Sequence, residues 1–476
     1  MISSKITQFS SSSGTSTLAR QLGIVSATAL VVSNMIGTGI FAFTGYLAGD
    51  LGSPSLILLT WITGALCALA GAFCYSELGI NFPSSGGEYV YLNRAFGPTW
   101  GFMTGWVSLV AGFSAPIAAS ALAFADYVGY FFPALKQSDA IFTYGSGDWT
   151  FRFGGAQLAA STLVAAFTVL NFFGLRRVAR VQNALTGTKI SMLILFIGMG
   201  LLAGEGSWKH FSTPTARWTT NSIHAQFAIS LFWIYLAYSG WNAATYIAEE
   251  LKHPSKILPL ALACGTGMVA ALYLALNVVF IYAVPLETIK QQAIKGDVAV
   301  GSLAASHLFG PAVAGAFSAL MALALMSTVN AMVTIGPRLY YAMAKNGAFF
   351  AGAAKVNARW RTPVRAIAWQ GICAVLMTLT PFPVLVNYIG FLLNFFAVVA
   401  VISLLVFRRR QHWERLRVVS FAYPLIPAVF LLVGGWMTIQ GIRLKPAIAA
   451  CAIVTVAVGA LIYHFRIGSV TQRPQP

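Results

Sequence analysis

The segment Ile36-Gly37-Thr38-Gly39-Ile40-Phe41 interrupts an apolar stretch otherwise long enough to cross a bilayer. Two glycines this close weaken a helix and leave backbone N–H and C=O groups without partners. Hydrocarbon tolerates such groups only where the backbone lines a cavity inside the protein. A second break, Ala237-Tyr238-Ser239-Gly240-Trp241-Asn242, interrupts another apolar stretch about halfway along the chain. Interrupted helices at corresponding places in two halves point to a secondary transporter's binding site.

Composition supports a membrane setting. Of 476 residues, 58% are hydrophobic and 9% charged, against roughly 25% charged in soluble domains. The net charge of +18 could suggest nucleic acid, but its distribution excludes that reading. Lys136, Arg152, Lys209, Arg217, Lys290, Lys295, Arg443 and Lys445 fall on one side of the expected spans. Most of the remaining basic residues, including Arg176, Arg177, Arg180, Arg359, Arg361 and Arg408 to Arg410, fall on the other. This is the positive-inside bias, and it predicts cytoplasmic N- and C-termini in a multi-pass cell-membrane protein. The cysteines (Cys67, Cys74, Cys264, Cys373, Cys451) all lie in apolar segments, so no disulfide framework is indicated.

A span needs roughly 20 apolar residues. Twelve are expected, near 22–49, 54–80, 98–132, 154–175, 181–204, 222–248, 257–283, 309–343, 364–381, 384–407, 420–440 and 446–465. The fold class is all-α, integral to the membrane. Residues 1–19 read as a disordered cytoplasmic tail, 20–204 as a five-helix repeat and 222–407 as a second repeat. Residues 408–466 supply the last two helices, and 467–476 form a cytoplasmic tail. Five spans is an odd number, so the second repeat must run through the membrane in the opposite sense. Each repeat begins with a broken helix.

The breaks suggest a chemistry. Unwinding at 37–39 frees N–H groups at the start of a half-helix, which can hold a carboxylate. The second break exposes carbonyls near Leu236 to Ser239, which can accept from an ammonium group. Lys189, in Gly187-Thr188-Lys189-Ile190-Ser191, lies about 13 Å further along its helix than Arg180. A cation at that depth is functional by default. No carboxylate falls clearly at its level, so backbone carbonyls of the first break are its candidate partners. Glu77, Glu249, Glu250 and Asp126 read as interfacial or capping charges. Metal-ligand spacing, a phosphate loop and a nucleophile–base pair are all missing, so neither a metal, a cofactor nor enzyme activity is expected.

Together these residues resemble the amino acid–polyamine–organocation transporter superfamily, most closely its L-type amino acid transporter branch, over about 20–410. The resemblance rests on the first break with Gly52-Ser53-Pro54 and Tyr75-Ser76-Glu77-Leu78-Gly79, and on Ser85-Gly86-Gly87-Glu88-Tyr89-Val90-Tyr91. It rests also on the second break through Glu249-Glu250, and on Ser327-Thr328-Val329-Asn330 with Arg338-Leu339-Tyr340-Tyr341. It implies the leucine-transporter fold, discontinuous helices 1 and 6, alternating access and no need for sodium. It further implies carboxylate binding by Gly37-Thr38-Gly39 and amino-group binding by Tyr238 to Asn242. Lys189 would take the place that a sodium ion holds in related folds.

Three departures refine the expectation. Leu236 stands where several relatives place an aromatic gate. Ser239 stands where large-substrate relatives carry glycine, which favours small side chains. The loop at 133–153 lacks the cysteine that links animal relatives to a heavy chain, so no disulfide-linked partner is expected. The third span, around Gly112 to Ala118, carries no acid for a cationic substrate. The expected function is sodium-independent transport of small or medium neutral L-amino acids, by exchange or with protons. The alternatives are a polyamine, amine or cationic amino acid antiporter, and an amino acid sensor that does not transport. The expected substrate contacts are Ile36, Gly37, Thr38, Gly39, Ile40, Leu236, Ala237, Tyr238, Ser239, Gly240 and Asn242, with Lys189 for coupling.

Overall fold

A computed structural model describes residues 23–37, 39–83, 86–145, 150–173, 175–294, 300–357, 359–360 and 362–467. The expected N-terminal tail, nearly all of the C-terminal one, and Thr38 lie outside these residues. Apolar runs become helices in the order α1 (Ile24–Met35), α2 (Gly39–Leu51), α3 (Pro54–Asn81), α4 (Glu88–Phe96), α5 (Pro98–Val107) and α6 (Ala115–Val128). A two-stranded ribbon follows, β1 (Ala140–Tyr144) paired antiparallel with β2 (Phe151–Gly154). Then come α7 (Gly155–Phe172), α8 (Leu175–Leu202), α9 (Ile223–Ala237), α10 (Pro254–Ala283), α11 (Leu286–Ile294) and α12 (Val300–Phe309). The chain closes with α13 (Pro311–Lys345), α14 (Val364–Met377), α15 (Phe382–Phe407), α16 (Arg417–Phe421), α17 (Leu425–Leu444) and α18 (Pro446–Ile462). Several long helices start on a proline, whose missing N–H would be unpaired there anyway.

Among the described residues, nine helices are long and apolar enough to cross a membrane, and α1 with α2, bent by 40°, makes a tenth. The shorter apolar helices α9 and α14 occupy two further expected spans. Loop 133–153 carries the β ribbon, with Phe142 opposite Phe153 and Tyr144 opposite Phe151.

The bundle is sealed differently at its two ends. Where α2 ends, Tyr46 stacks on Trp233 at 4.6 Å and Phe43 meets the same indole edge-on at 5.2 Å. Phe382 and Trp218 complete the cluster. Gly49 has no Cβ, which lets the Trp218 ring fold across the end of α2. Its indole N–H donates to Asp50 Oδ1 at 2.6 Å. At the opposite end, where α1 begins, Glu77 is fully buried. It accepts from Arg408 Nε and Nη2, both at 2.6 Å, from Trp413 Nε1 at 2.9 Å and from the Leu416 amide at 3.1 Å. Glu77 is thus a buried ion-pair anchor between α3 and α15 rather than an interfacial charge. Asp126 is buried as well, accepting from the amide and side chain of Gln137.

Between α5 and α6 the helix widens into a π turn, Ser108–Ser114, where the Ala115 amide reaches back to Val110 O. Pro116 has no N–H to offer the Gly112 carbonyl, which loosens this turn. The Tyr340 hydroxyl donates to the Ser108 carbonyl at 3.1 Å.

Candidate functional site

The two breaks meet. An ideal Cβ on Gly39 would stand 2.5 Å from Ala237 Cβ, and one on Gly240 would stand 2.9 Å from the Asn34 carbonyl. Gly240 also has φ +96°, a conformation that disfavours side chains. Glycine is therefore required there twice over, for the turn and for the approach of α1.

Both half-helix ends are capped by side chains from other elements. The Tyr273 hydroxyl of α10 lies 2.6 Å from Met35 O and 3.1 Å from Ala237 O, so its one hydrogen serves the ends of α1 and α9. Ile36 O accepts from Lys189 Nζ at 2.6 Å and from Thr328 Oγ1 at 3.0 Å. Lys189 Nζ also donates to Thr328 Oγ1 at 3.1 Å. Lys189 is 1% exposed, and among the described residues it donates to neutral dipoles, Ile36 O and Thr328 Oγ1, rather than to a carboxylate. It therefore joins α8 and α13 to the first break. Ser33, donating to Thr186 at 3.2 Å, adds a second tie between α1 and α8.

Directly beyond the second break lies a cavity of about 70 Å³. Ser239, Gly240 and Asn242 form one wall, with Asn34 of α1 beside them. Ser108, Gly112 and Phe113 of the π turn face them, together with Met332 and Ile335 of α13. The other expected contacts that are described sit outside its wall. Ile36, Ile40, Leu236, Ala237 and Tyr238 are buried, and Gly37 and Gly39 pack at the junction of the breaks. Tyr238 lies against Trp61 and Tyr273, donating to Trp61 O at 3.3 Å.

The wall also holds a carboxylate that sequence reasoning did not single out. Glu88 opens α4, and its Oε1 accepts from Tyr75 OH at 2.7 Å and from Asn242 Nδ2 at 2.9 Å. Gly86 (φ +132°) and Gly87 (φ +48°) make the turn that delivers it. A Cβ on Gly87 would come within 2.8 Å of Thr245 Oγ1, so only glycine lets this loop lie against the second break. Burial pushes the Glu88 carboxyl above the usual carboxylate range, and the hydrogen bonds from Tyr75 and Asn242 offset only part of that rise. The glycine pair was the available signal, since it marks a close backbone approach.

Among the described residues, no group of His, Cys, Asp and Glu could hold a metal ion. The site is a junction of broken helices, a buried ammonium and a small, mainly apolar cavity with a few polar groups in its wall, inside a multi-pass membrane protein. The amino acid permease family model matches residues 22–458, and the chain belongs to that family, on the L-type branch of the amino acid–polyamine–organocation superfamily. It is 28% identical to the mouse large neutral amino acids transporter small subunit 2, over 96% of this chain and 83% of the relative. It is 28% identical to the mouse Asc-type amino acid transporter 1, over 94% and 82%. With the mouse b(0,+)-type amino acid transporter 1 it shares 27% identity, over 95% and 88%. The chain is an amino acid transporter and not an enzyme.

Proposed function

We propose that this chain carries small or medium neutral L-amino acids across the cell membrane without sodium, by alternating access. The observation that carries this reading is the buried Lys189 ammonium, hydrogen-bonded to Ile36 O at the junction of the two breaks. On this reading the ammonium stands in for the cation that a sodium-coupled relative would bind at the first break, which supports transport without sodium. The first amides of α2, from Gly39 onward, lack intrahelical acceptors and suit an α-carboxylate. Carbonyls of the second break, between Leu236 and Ser239, suit the α-ammonium. Ser239 in the cavity wall favours short side chains.

On this reading, twelve spans include a five-plus-five inverted repeat over 20–204 and 222–407. The termini are cytoplasmic, and the cavity lies on the cytoplasmic side of the breaks. The relatives named as small subunits belong to larger assemblies. Here every cysteine lies within a helix, which supports a transporter without a disulfide-linked partner. A second reading, transport of cationic amino acids, is favoured by the Glu88 carboxylate in the cavity wall.

The test is uptake of labelled alanine, serine, leucine and arginine into proteoliposomes. Vesicles are preloaded or empty, with and without an inward proton gradient. Alanine and serine uptake that needs no sodium sustains the proposal. Uptake of arginine alone establishes the second reading, and sodium-dependent uptake overturns both. Dependence on preloading defines an exchanger, and gradient-driven uptake into empty vesicles a proton symporter.

A further inference from the structure

We propose that Glu88 is the proton-binding site of this transporter, taking up a proton on one side of the membrane and releasing it on the other with the substrate. The inference rests on the transport reading above and moves the coupling role from Lys189 to a different element.

Glu88 is partly exposed, and it borders the cavity. Among the described residues Oε1 accepts from Tyr75 and Asn242, which makes Oε2 the oxygen proposed to take the proton. Among the described residues, the groups lining the cavity beside it carry no positive charge. From α3 comes Tyr75, from α9 Tyr235, from α4 itself Tyr91, from the second break Asn242, and from the 3-10 turn after it (Ala243–Glu250) Tyr246. The π turn contributes Ser108 and Phe113, α13 Met332 and Ile335, and α15 Leu393. No lysine, arginine or histidine lines the cavity among the described residues. Arg94, the cation on α4, stacks instead on Phe82.

A carboxylate enclosed without a cation is disfavoured, and a proton removes that penalty. The rise in its pKa on burial points the same way. Each cycle is balanced. A proton from the donor solution converts the carboxylate to the acid while the cavity is open to that side. Closure is favoured with the acid form, and opening to the other side rehydrates the group and returns the proton to that solution. Asn242 links this step to the second break, because the residue that bonds Glu88 belongs to the segment proposed to hold the substrate amino group. Lys189 of α8 donates instead to Ile36 O at the first break.

The experiment uses the full chain in proteoliposomes with labelled alanine, and with labelled serine, leucine and arginine in parallel. Counterflow is measured at equal pH, and accumulation into empty vesicles is measured with acid outside. Wild type should show both. Glu88→Gln should keep measurable counterflow while its gradient-driven accumulation falls to no concentration above the medium, and Glu88→Asp should restore accumulation. Wild-type counterflow without gradient-driven accumulation overturns this inference and leaves the transport reading standing. Absence of wild-type counterflow for any amino acid overturns the transport reading itself. Gradient-driven accumulation in Glu88→Gln equal to wild type overturns the assignment, as does selective loss of arginine uptake in that variant. Should Glu88→Gln transport nothing, melting temperature against pH decides. A group whose pKa is raised by folding stabilises the fold at low pH, and that stability is lost as pH rises through the folded value. Wild type should therefore lose stability with rising pH more steeply than Glu88→Gln, and equal slopes overturn the proposal.

Discussion

Glu77 and Glu88 flank the same short loop and are embedded in very different ways. Glu77 has a guanidinium, an indole N–H and a backbone amide on its oxygens. Glu88 has a phenol and a carboxamide on one oxygen and a cavity beside it. Lys189 resembles Glu88 rather than Glu77, since a carbonyl and a hydroxyl hold it. The lesson is that burial alone does not assign a role. A charge met by a countercharge behaves as a strut, because breaking the pair strands the partner. A charge held only by neutral dipoles can change its protonation or its partners at smaller cost.

The comparison can be broken at its strong side first. Glu77→Gln leaves the Arg408 guanidinium, 7% exposed, without its countercharge, and should destabilise the protein by about 3–5 kcal/mol. Thermal unfolding in detergent measures this, and a loss as small as that of Glu88→Gln would erase the distinction. Next, Lys189→Ala removes the tie between α8 and the first break while Thr328 still serves Ile36 O. Counterflow should fall at least ~10-fold with the fold retained, and unchanged flux would remove Lys189 from the mechanism. Tyr273→Phe strips the shared hydroxyl from two buried carbonyls and should cost about 1–3 kcal/mol in the same unfolding assay. The smallest effect belongs to Glu88→Gln. The amide oxygen can still accept from Tyr75 and Asn242, so stability near neutral pH should change by less than ~1 kcal/mol.

Much of this was legible in the chain itself. Gly37, Gly39 and Gly240 announce helix breaks because glycine is poorly suited to the middle of an apolar helix. Lys189 announces itself by depth, and the absence of a nearby acid directs attention to backbone carbonyls. Other features were not legible, for a physical reason. The Glu88–Asn242 bond spans 154 positions and the Arg408–Glu77 pair 331. Periodicity reports which face of a helix is apolar, not which distant element covers it. The turn at Gly86 and Gly87 folds α4 back under the second break, so a segment that reads as a short amphipathic stretch supplies the acid of the cavity. The missing acid of the third span was thus no guide to the cavity's charge. Tyr273 was hidden in the same way, as one of several polar groups spread along α10, with nothing local to mark that it caps the ends of α1 and α9.

The contact of Gly39 with Ala237 has a consequence for affinity. In this conformation the breaks touch, so a ligand held by both must first part them. The work of parting is subtracted from whatever its carboxylate and ammonium gain. Its apparent dissociation constant is then the intrinsic one divided by the fraction of molecules already parted. A substitution that loosens this single contact would tighten binding without touching the ligand, and one that wedges it open would leave the carrier holding cargo it can no longer enclose.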